Sequence, residues 1–404
     1  MTDTVPTSSL TLVPSEKPRL PLELLIKIAE FAVGRSEFDD EAGLDEALAI
    51  SLTCVELRDV GQKRLFLAVE SAEQVEVVIK SRRLARLVQE IKWTFDRKED
   101  QMWYSEGVSV VATLLKLCVN LRDVALPDIP FFFLPTMLHH LSSSPMAANL
   151  TCLHLGCCDD SATNWDGTDV PLFLHALTSF RSLQSLTLDL DVQQIFPDDA
   201  TTWETSLASL IRPDLISLEE DRETDSSPTS AYFPSLTFLS LGLHRWYTPI
   251  AYNLLLLLLP GVRTLELTDK GIDDTAIFRL LAGVFSASDD AALEEVRLDI
   301  THGADCRDEG STEKVAFYEM MMRVPASVKA LHMPGVRISG DAARWDADFL
   351  ELLEGLGGQL ETASCRVEYE WVLWRRADGE WDESDVDTGG PGLDSAVLLS
   401  MIQS

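Results

Sequence analysis

Positive charge is what this chain has least of: 33 Lys and Arg stand against 66 Asp and Glu, a formal net charge of −33 over 404 residues. A surface that follows a phosphate backbone needs the opposite sign, so no nucleic-acid partner is expected. Cysteine is scarce too. The seven cysteines are odd in number and scattered apart from Cys157 and Cys158, which is no disulfide framework. A reducing compartment, cytoplasmic or nuclear, is the expectation, and there the sequon at Asn149-Leu150-Thr151 has no glycosylation meaning. Long hydrophobic runs are missing: Leu254 to Leu259, closed by Pro260 and Gly261, is far too short to span a bilayer and reads as a buried helix end. No membrane partner is expected. The opening residues, MTDTVPTSSLTLVPSEKP, have neither the basic start nor the apolar stretch of a signal peptide, and residues 1–17 read as a disordered tail. No phosphate-cradling glycine loop, nucleophile elbow or paired-histidine metal motif occurs. The reading is therefore of a protein that is not an enzyme, with no catalytic residue, cofactor or metal.

What the chain does have is a repeat. An apolar residue is followed three positions later by a second and two later by a third, as in Leu183, Leu186 and Leu188. Copies start at Val88, Leu121, Leu150, Leu183, Leu236, Val262, Leu293, Val328 and Leu360, and subtracting each start from the next gives steps of 33, 29, 33, 53, 26, 31, 35 and 32. Residues two apart point to the same side of a strand, so the second and third apolar residues of each copy share a buried face. Between copies lie segments with helical spacing, such as Val108 to Cys118. Strand, loop and helix in repetition is the plan of a solenoid whose units bury their apolar faces only by stacking.

The segments LQSLTL, LTFLSL and VRTLEL resemble the core of leucine-rich repeats. The resemblance implies an α/β fold, a curved parallel sheet with outer helices, over residues 71–376. Where that family usually has Asn or Cys, three residues after the last leucine, Cys158 fits but Ile129, Asp191, His244, Lys270, Thr301 and Val336 stand in the other copies, so an irregular solenoid is expected. The step of 53 contains an acidic, Ser/Thr-rich stretch at 217–230 that reads as a disordered surface insertion beside a decayed repeat. Near the end, Val367, Tyr369, Trp371 and Leu373 alternate with polar residues and Asp378-Gly379 signals a turn. This pattern predicts a hairpin over the end of the solenoid, followed by a turn, an acidic tail and a short helix within 377–404.

Ahead of the repeats, RLPLELLIKIAEF puts Pro21 where a helix can open without losing a hydrogen bond, and sets Leu24, Ile28 and Phe31 on one stripe. Two more short helices follow, with Leu48, Leu52, Val55, Leu65 and Phe66 as their apolar positions. Three short helices make a core that is marginal alone. LPLELLIKIAEF and ISLTCVELRDVGQKRLF together resemble the F-box, matched at Leu20, Pro21, Glu23, Leu24, Ile28, Leu52, Cys54, Leu57, Leu65 and Phe66, over residues 18–70. An F-box followed by leucine-rich repeats is a familiar arrangement, including in fungal proteins. The resemblance implies a substrate-recognition subunit of an SCF-type ubiquitin ligase. In that role Leu20, Pro21, Leu24, Ile28, Leu52, Cys54, Leu57, Leu65 and Phe66 would contact a Skp1-like adaptor, and through it a cullin-RING ligase, while the repeats hold an unknown protein substrate. The plainer alternatives are a helical cap on the repeat array and a protein-binding scaffold that never joins a ligase.

On the strands, residues between the leucines point away from the core. Among them His154, Thr187, Ser240, Glu266, Arg297 and His332 are the candidates for substrate contact on the concave face. Acids outnumber bases there, which suits either a basic peptide or a plain solvated surface. Cys152, His154, Cys157 and Cys158 raise a zinc site, but no second ligand pair stands at a recognised spacing, and buried thiols are the preferred reading.

Overall fold

The computed structural model describes residues 48–51, 55–94, 101–129, 133–157, 173, 176–191, 233–244, 248–269, 274–287, 292–300, 304–305, 312–338, 352–356, 360–367, 370–377 and 380–385. The chain divides into two compact units, Met1–Ala68 and Val69–Ser404. In the first, residues 48–51 are helical and α1 spans Val55–Leu65, with the basic Lys63 and Arg64 in its last turn, where they oppose the helix dipole favourably.

The second unit is built on a 13-stranded sheet in near-sequential order. Its strands are β1 (Ala68–Val69), β2 (Glu90–Lys92), β3 (Asp123–Ile129), β4 (Cys152–Cys157), β5 (Ser185–Asp191), β6 (Phe238–His244), β7 (Thr264–Asp269), β8 (Glu295–Ile300), β9 (Ala304–Asp305), β10 (Ala330–Ile338), β11 (Thr362–Val367), β12 (Glu370–Ala377) and β13 (Glu380–Asp385). From β2 to β11 the main path is parallel, and each strand pairs with its successor except that β8 pairs β10 while β9 pairs only β10. The second apolar residue of each sequence copy falls in one unbroken register row: Ile91, Val124, Leu153, Leu186, Leu239, Leu265, Val296, Leu331, Ala363. None of them is more than 2% exposed. Ahead of the strands runs a second lateral ladder, in which the N–H groups of Arg122, Thr151, Gln184, Thr237, Arg263, Glu294, Lys329 and Glu361 each donate to the matching carbonyl one repeat earlier, at 2.7–2.9 Å. The step of 53 does not interrupt it: β5 pairs directly with β6, and no decayed strand intervenes. The stretch 217–230 lies outside the described residues.

Helical crossovers join the parallel strands. α2 (Ala72–Lys80) opens on a capping box in which Ser71 and Gln74 satisfy each other's backbone N–H groups. α3 (Arg82–Ala85) and α4 (Gln101–Leu117) follow, then α5 (Leu134–Ser143), which buries Leu134, Met137, Leu138 and Leu141 at helical spacing. α6 (Thr248–Leu258), α7 (Asp274–Ala287) and α8 (Thr312–Met321) pack side by side, and Phe278 of α7 meets Phe317 of α8 edge to face at 5.3 Å. Crossovers between parallel neighbours keep one hand, which places the described crossover helices, such as the neighbouring α6, α7 and α8, on a single face of the sheet. By the same rule the opposite face is free of the described crossover helices and is termed the open face. This is a solenoid of stacked strand–helix units.

Its irregularities have local causes. The register shifts between Leu126 and Ile129 and between Met333 and Arg337 each fall at a proline, Pro127 and Pro334, which has no N–H to give the ladder. Gly156 answers the first: a Cβ there would lie 2.1 Å from the Pro127 carbonyl oxygen. Ile129, at the place where the family pattern has Asn or Cys, is a fully buried strand residue paired with Cys157.

The sheet also runs past the expected end of the solenoid at 376. β11, β12 and β13 are successively antiparallel, with Asp378-Gly379 between the paired Ala377 and Glu380, so part of the predicted acidic tail is an edge strand. Trp374 pairs with Ala363 and is 1% exposed, which places the largest fully buried side chain among the described residues at the end of the apolar row, against its smallest member.

Candidate functional site

Strand residues alternate, so the positions on either side of the buried row share the open face. One line across that face reads Lys92, Ala125, His154, Thr187, Ser240, Glu266, Arg297, His332, Ser364, and the line beside it reads Glu90, Asp123, Cys152, Ser185, Phe238, Thr264, Glu295, Ala330, Thr362. All six candidates His154, Thr187, Ser240, Glu266, Arg297 and His332 stand in the first line. Thus the sequence repeat alone aligned them.

Four of the six form one connected network. The Ser240 hydroxyl donates to Glu266 Oε1 at 3.3 Å, and Arg297 Nη1 lies 3.9 Å from Glu266 Oε2. Arg297 Nε donates to Glu295 Oε1 at 2.7 Å. His332 places Nε2 3.8 Å from that same carboxylate oxygen, while its Nδ1 and the Ser364 hydroxyl share a hydrogen bond of 2.9 Å. Burial pushes the His332 imidazole below its ordinary pKa, with Arg297 adding to the effect and Glu295 opposing it. At neutral pH the cluster therefore holds two carboxylates, one guanidinium and a neutral imidazole.

Exposure corrects one expectation. Ser240, His332 and Ser364 point to the open face yet are only 7%, 4% and 4% exposed. Each is flanked in register by larger neighbours: Ser240 by Glu266, His332 by Arg297, and Ser364 by His332 and the buried Leu373. His154, Thr187, Glu266 and Arg297 are half-buried and reachable.

A second polar group occupies the other end of the same face. Lys92 bridges Glu90 at 2.9 Å and Glu70 at 3.4 Å, and its hydrogen bond to Glu90 leads the effects that push its pKa up. Burial, then Glu90, raises the Asp123 carboxyl; burial, then Asp123, raises the Cys152 thiol. Cys152 and His154 share this face, Cys157 is half-buried, and Cys158 lies outside the described residues. Among the described residues no three His, Cys, Asp or Glu are grouped to hold a metal ion, and no helix is long and apolar enough to cross a membrane.

Of the adaptor-contact candidates, Leu65 closes α1 and Phe66 follows it, both half-buried, with the Phe66 N–H donating to the Gln62 carbonyl at 3.0 Å. Leu57 falls within α1, while Leu20, Pro21, Leu24, Ile28, Leu52 and Cys54 lie outside the described residues.

A scan against protein-family models finds no match, and a search of curated proteins finds none either. Among solved structures, a chain from a crystal structure of a TLR13–ssRNA13 complex is similar at 12% identity and a TM-score of 0.36, the alignment covering 76% of this chain and 37% of that one. This chain thus spans little more than a third of that neighbour's length, and a likeness at that score carries no argument. The fold assignment rests on the register rows and the backbone ladder themselves.

Proposed function

We propose that the protein is the substrate-recognition subunit of an SCF-type ubiquitin ligase. In this reading the amino-terminal helices dock a Skp1-like adaptor through Leu20, Pro21, Leu24, Ile28, Leu52, Cys54, Leu57, Leu65 and Phe66. The open face of the repeat sheet holds a protein substrate, and the adaptor links it to a cullin-RING ligase. The role is non-catalytic: holding a substrate beside the ligase raises the effective concentration of its lysines, with no chemistry supplied by this chain. The cytoplasm or nucleus is where such a ligase works.

What supports the reading is the Leu20-Pro21 sequence motif, which falls within the compact unit Met1–Ala68, together with a repeat sheet that carries a row of half-buried polar side chains opposite its apolar row. Helices take one face of a parallel sheet; a polar face left free along a whole repeat array is an extended binding surface. Capture on an immobilised Skp1-like adaptor tests the ligase role. The full chain should be retained, and L20D/P21A should not. A folded chain that passes through the column would instead leave a protein-binding solenoid outside any ligase.

A further inference from the structure

The geometry points to a receptor site for one cationic side chain, Lys or Arg, of an extended protein segment, formed on the open face by Glu266, Glu295, Phe238 and the small residues between them. This deepens the substrate-binding reading of that face and rests on it.

The charges do not balance locally. Arg297 is shared by two carboxylates, at 2.7 Å from Glu295 and 3.9 Å from Glu266, with side-chain exposures of 15%, 24% and 29%. His332, the remaining nitrogen base of the cluster, is buried and neutral at pH 7. Among the described residues of this cluster one formal negative charge is left over, on side chains largely withdrawn from water, where an added cation gains more than at a free surface. The next cation on the line through Glu295, Arg375, stands three strands away past Ala330 and Thr362, about 14 Å at ordinary strand spacing. It is too far to neutralise the excess.

The surroundings fit a long side chain with a charged tip. Glu295 has Thr264 opposite it on one side and Ala330 on the other, so the carboxylate stands between short neighbours. Beyond Thr264 the next residue in the line is Phe238, a half-buried aromatic ring, two strands or about 10 Å from Glu295. A Lys or Arg side chain, about 6–7 Å from Cα to its charged head, covers most of that distance. It would lie across the Phe238 ring and Thr264, with the head reaching Glu295 and Glu266.

Fluorescence polarisation with a labelled (Gly-Ser-Arg)5 peptide tests this, using the full chain, at low and at physiological salt. Because the whole protein is acidic, the control is E73Q/E76Q on α2, which removes the same charge from fully exposed positions. The E266Q/E295Q variant should weaken binding at least tenfold and E73Q/E76Q less than twofold. T264K, which keeps both carboxylates and supplies an internal ammonium beside Glu295, should block the site while leaving the fold intact. F238A should weaken binding severalfold, and the citrulline version of the peptide should not bind. Equal weakening by the two double variants, unimpaired binding by T264K, or equal binding of the citrulline peptide would overturn the proposal, as would a folded wild type that ignores the arginine peptide. Adaptor capture by E266Q/E295Q is read in parallel. Retained capture with no site-specific effect refutes the cation site alone, and lost capture by the wild type refutes the ligase role alone.

Discussion

Replacing Trp374 by alanine attacks the point where the apolar row ends. Trp374 is 1% exposed and pairs with Ala363, the smallest side chain in the row, so its neighbour in that row lacks the bulk to fill the space it leaves. Truncation withdraws about 150 Å² of buried apolar surface, which at roughly 25 cal/mol per Å² is about 4 kcal/mol. Large-to-small substitutions in packed cores cost about 3–5 kcal/mol, in the same range. Such a loss lowers the melting temperature by about 6 °C in a unit of this size. Because a repeat array is held by nearest-neighbour contacts, the damage should fray β10, β11 and β12 before it reaches β2. Urea unfolding gives the magnitude, and hydrogen exchange resolved along the chain gives the place. Val315→Ser, at a 60%-exposed position on α8, serves as the control and should change stability by less than about 0.5 kcal/mol. A Trp374→Ala loss under about 1 kcal/mol, or faster exchange spread evenly over all strands, would refute the assignment of Trp374 as the end seal of the core.

Gly156→Ala drives a methyl into the Pro127 carbonyl, a backbone atom that cannot swing away, and should cost about 1–3 kcal/mol in urea unfolding. Gly355→Ala, with nothing within 4 Å of the new Cβ, should be neutral or stabilising by up to about 1 kcal/mol. His332 sets a pH dependence. Its folded-state pKa lies below the ordinary 6.5, so the unfolded chain binds more protons between those two values; its stabilising effect is complete above 6.5 and is lost as pH falls toward the folded value. The urea midpoint should therefore drop on acidification from pH 8 to 5.5, and His332→Gln should flatten that slope. Burial pushes the Cys118 thiol up to about 12, so mass-resolved alkylation at pH 8 should leave Cys118 unmodified until the protein unfolds.

The repeat sheet was legible in the sequence because its period-two and period-thirty signals come from the same leucines. Leu186 and Leu239 are 53 residues apart, yet the motif identified them as register partners. The network of Ser240, Glu266, Arg297 and His332 was legible for the same reason, since residues at one motif position become lateral neighbours. Its burial was not. Whether His332 meets water depends on Arg297 and Ser364 on adjoining strands, which alternation along one strand does not encode. Trp374 escaped for a related reason. The alternation through Trp371 and Leu373 indicated a single inward face, but β12 buries both Leu373 and Trp374, one on each side, because it closes the row at Ser364 as well as the row at Ala363. The edge strand β13 escaped because four of its six residues are acidic, a composition that reads as a solvated tail and that in fact also guards a sheet edge.

Hydrogen exchange of the full chain with and without a Skp1-like adaptor tests the central claim most directly, since it reports where the adaptor sits as well as whether it binds. The account predicts slowed exchange within residues 18–70, centred on the Leu20–Ile28 segment, with the open face around Glu266 and Arg297 unchanged. Unaltered exchange in 18–70 at saturating adaptor, or protection confined to the repeat sheet, would contradict it.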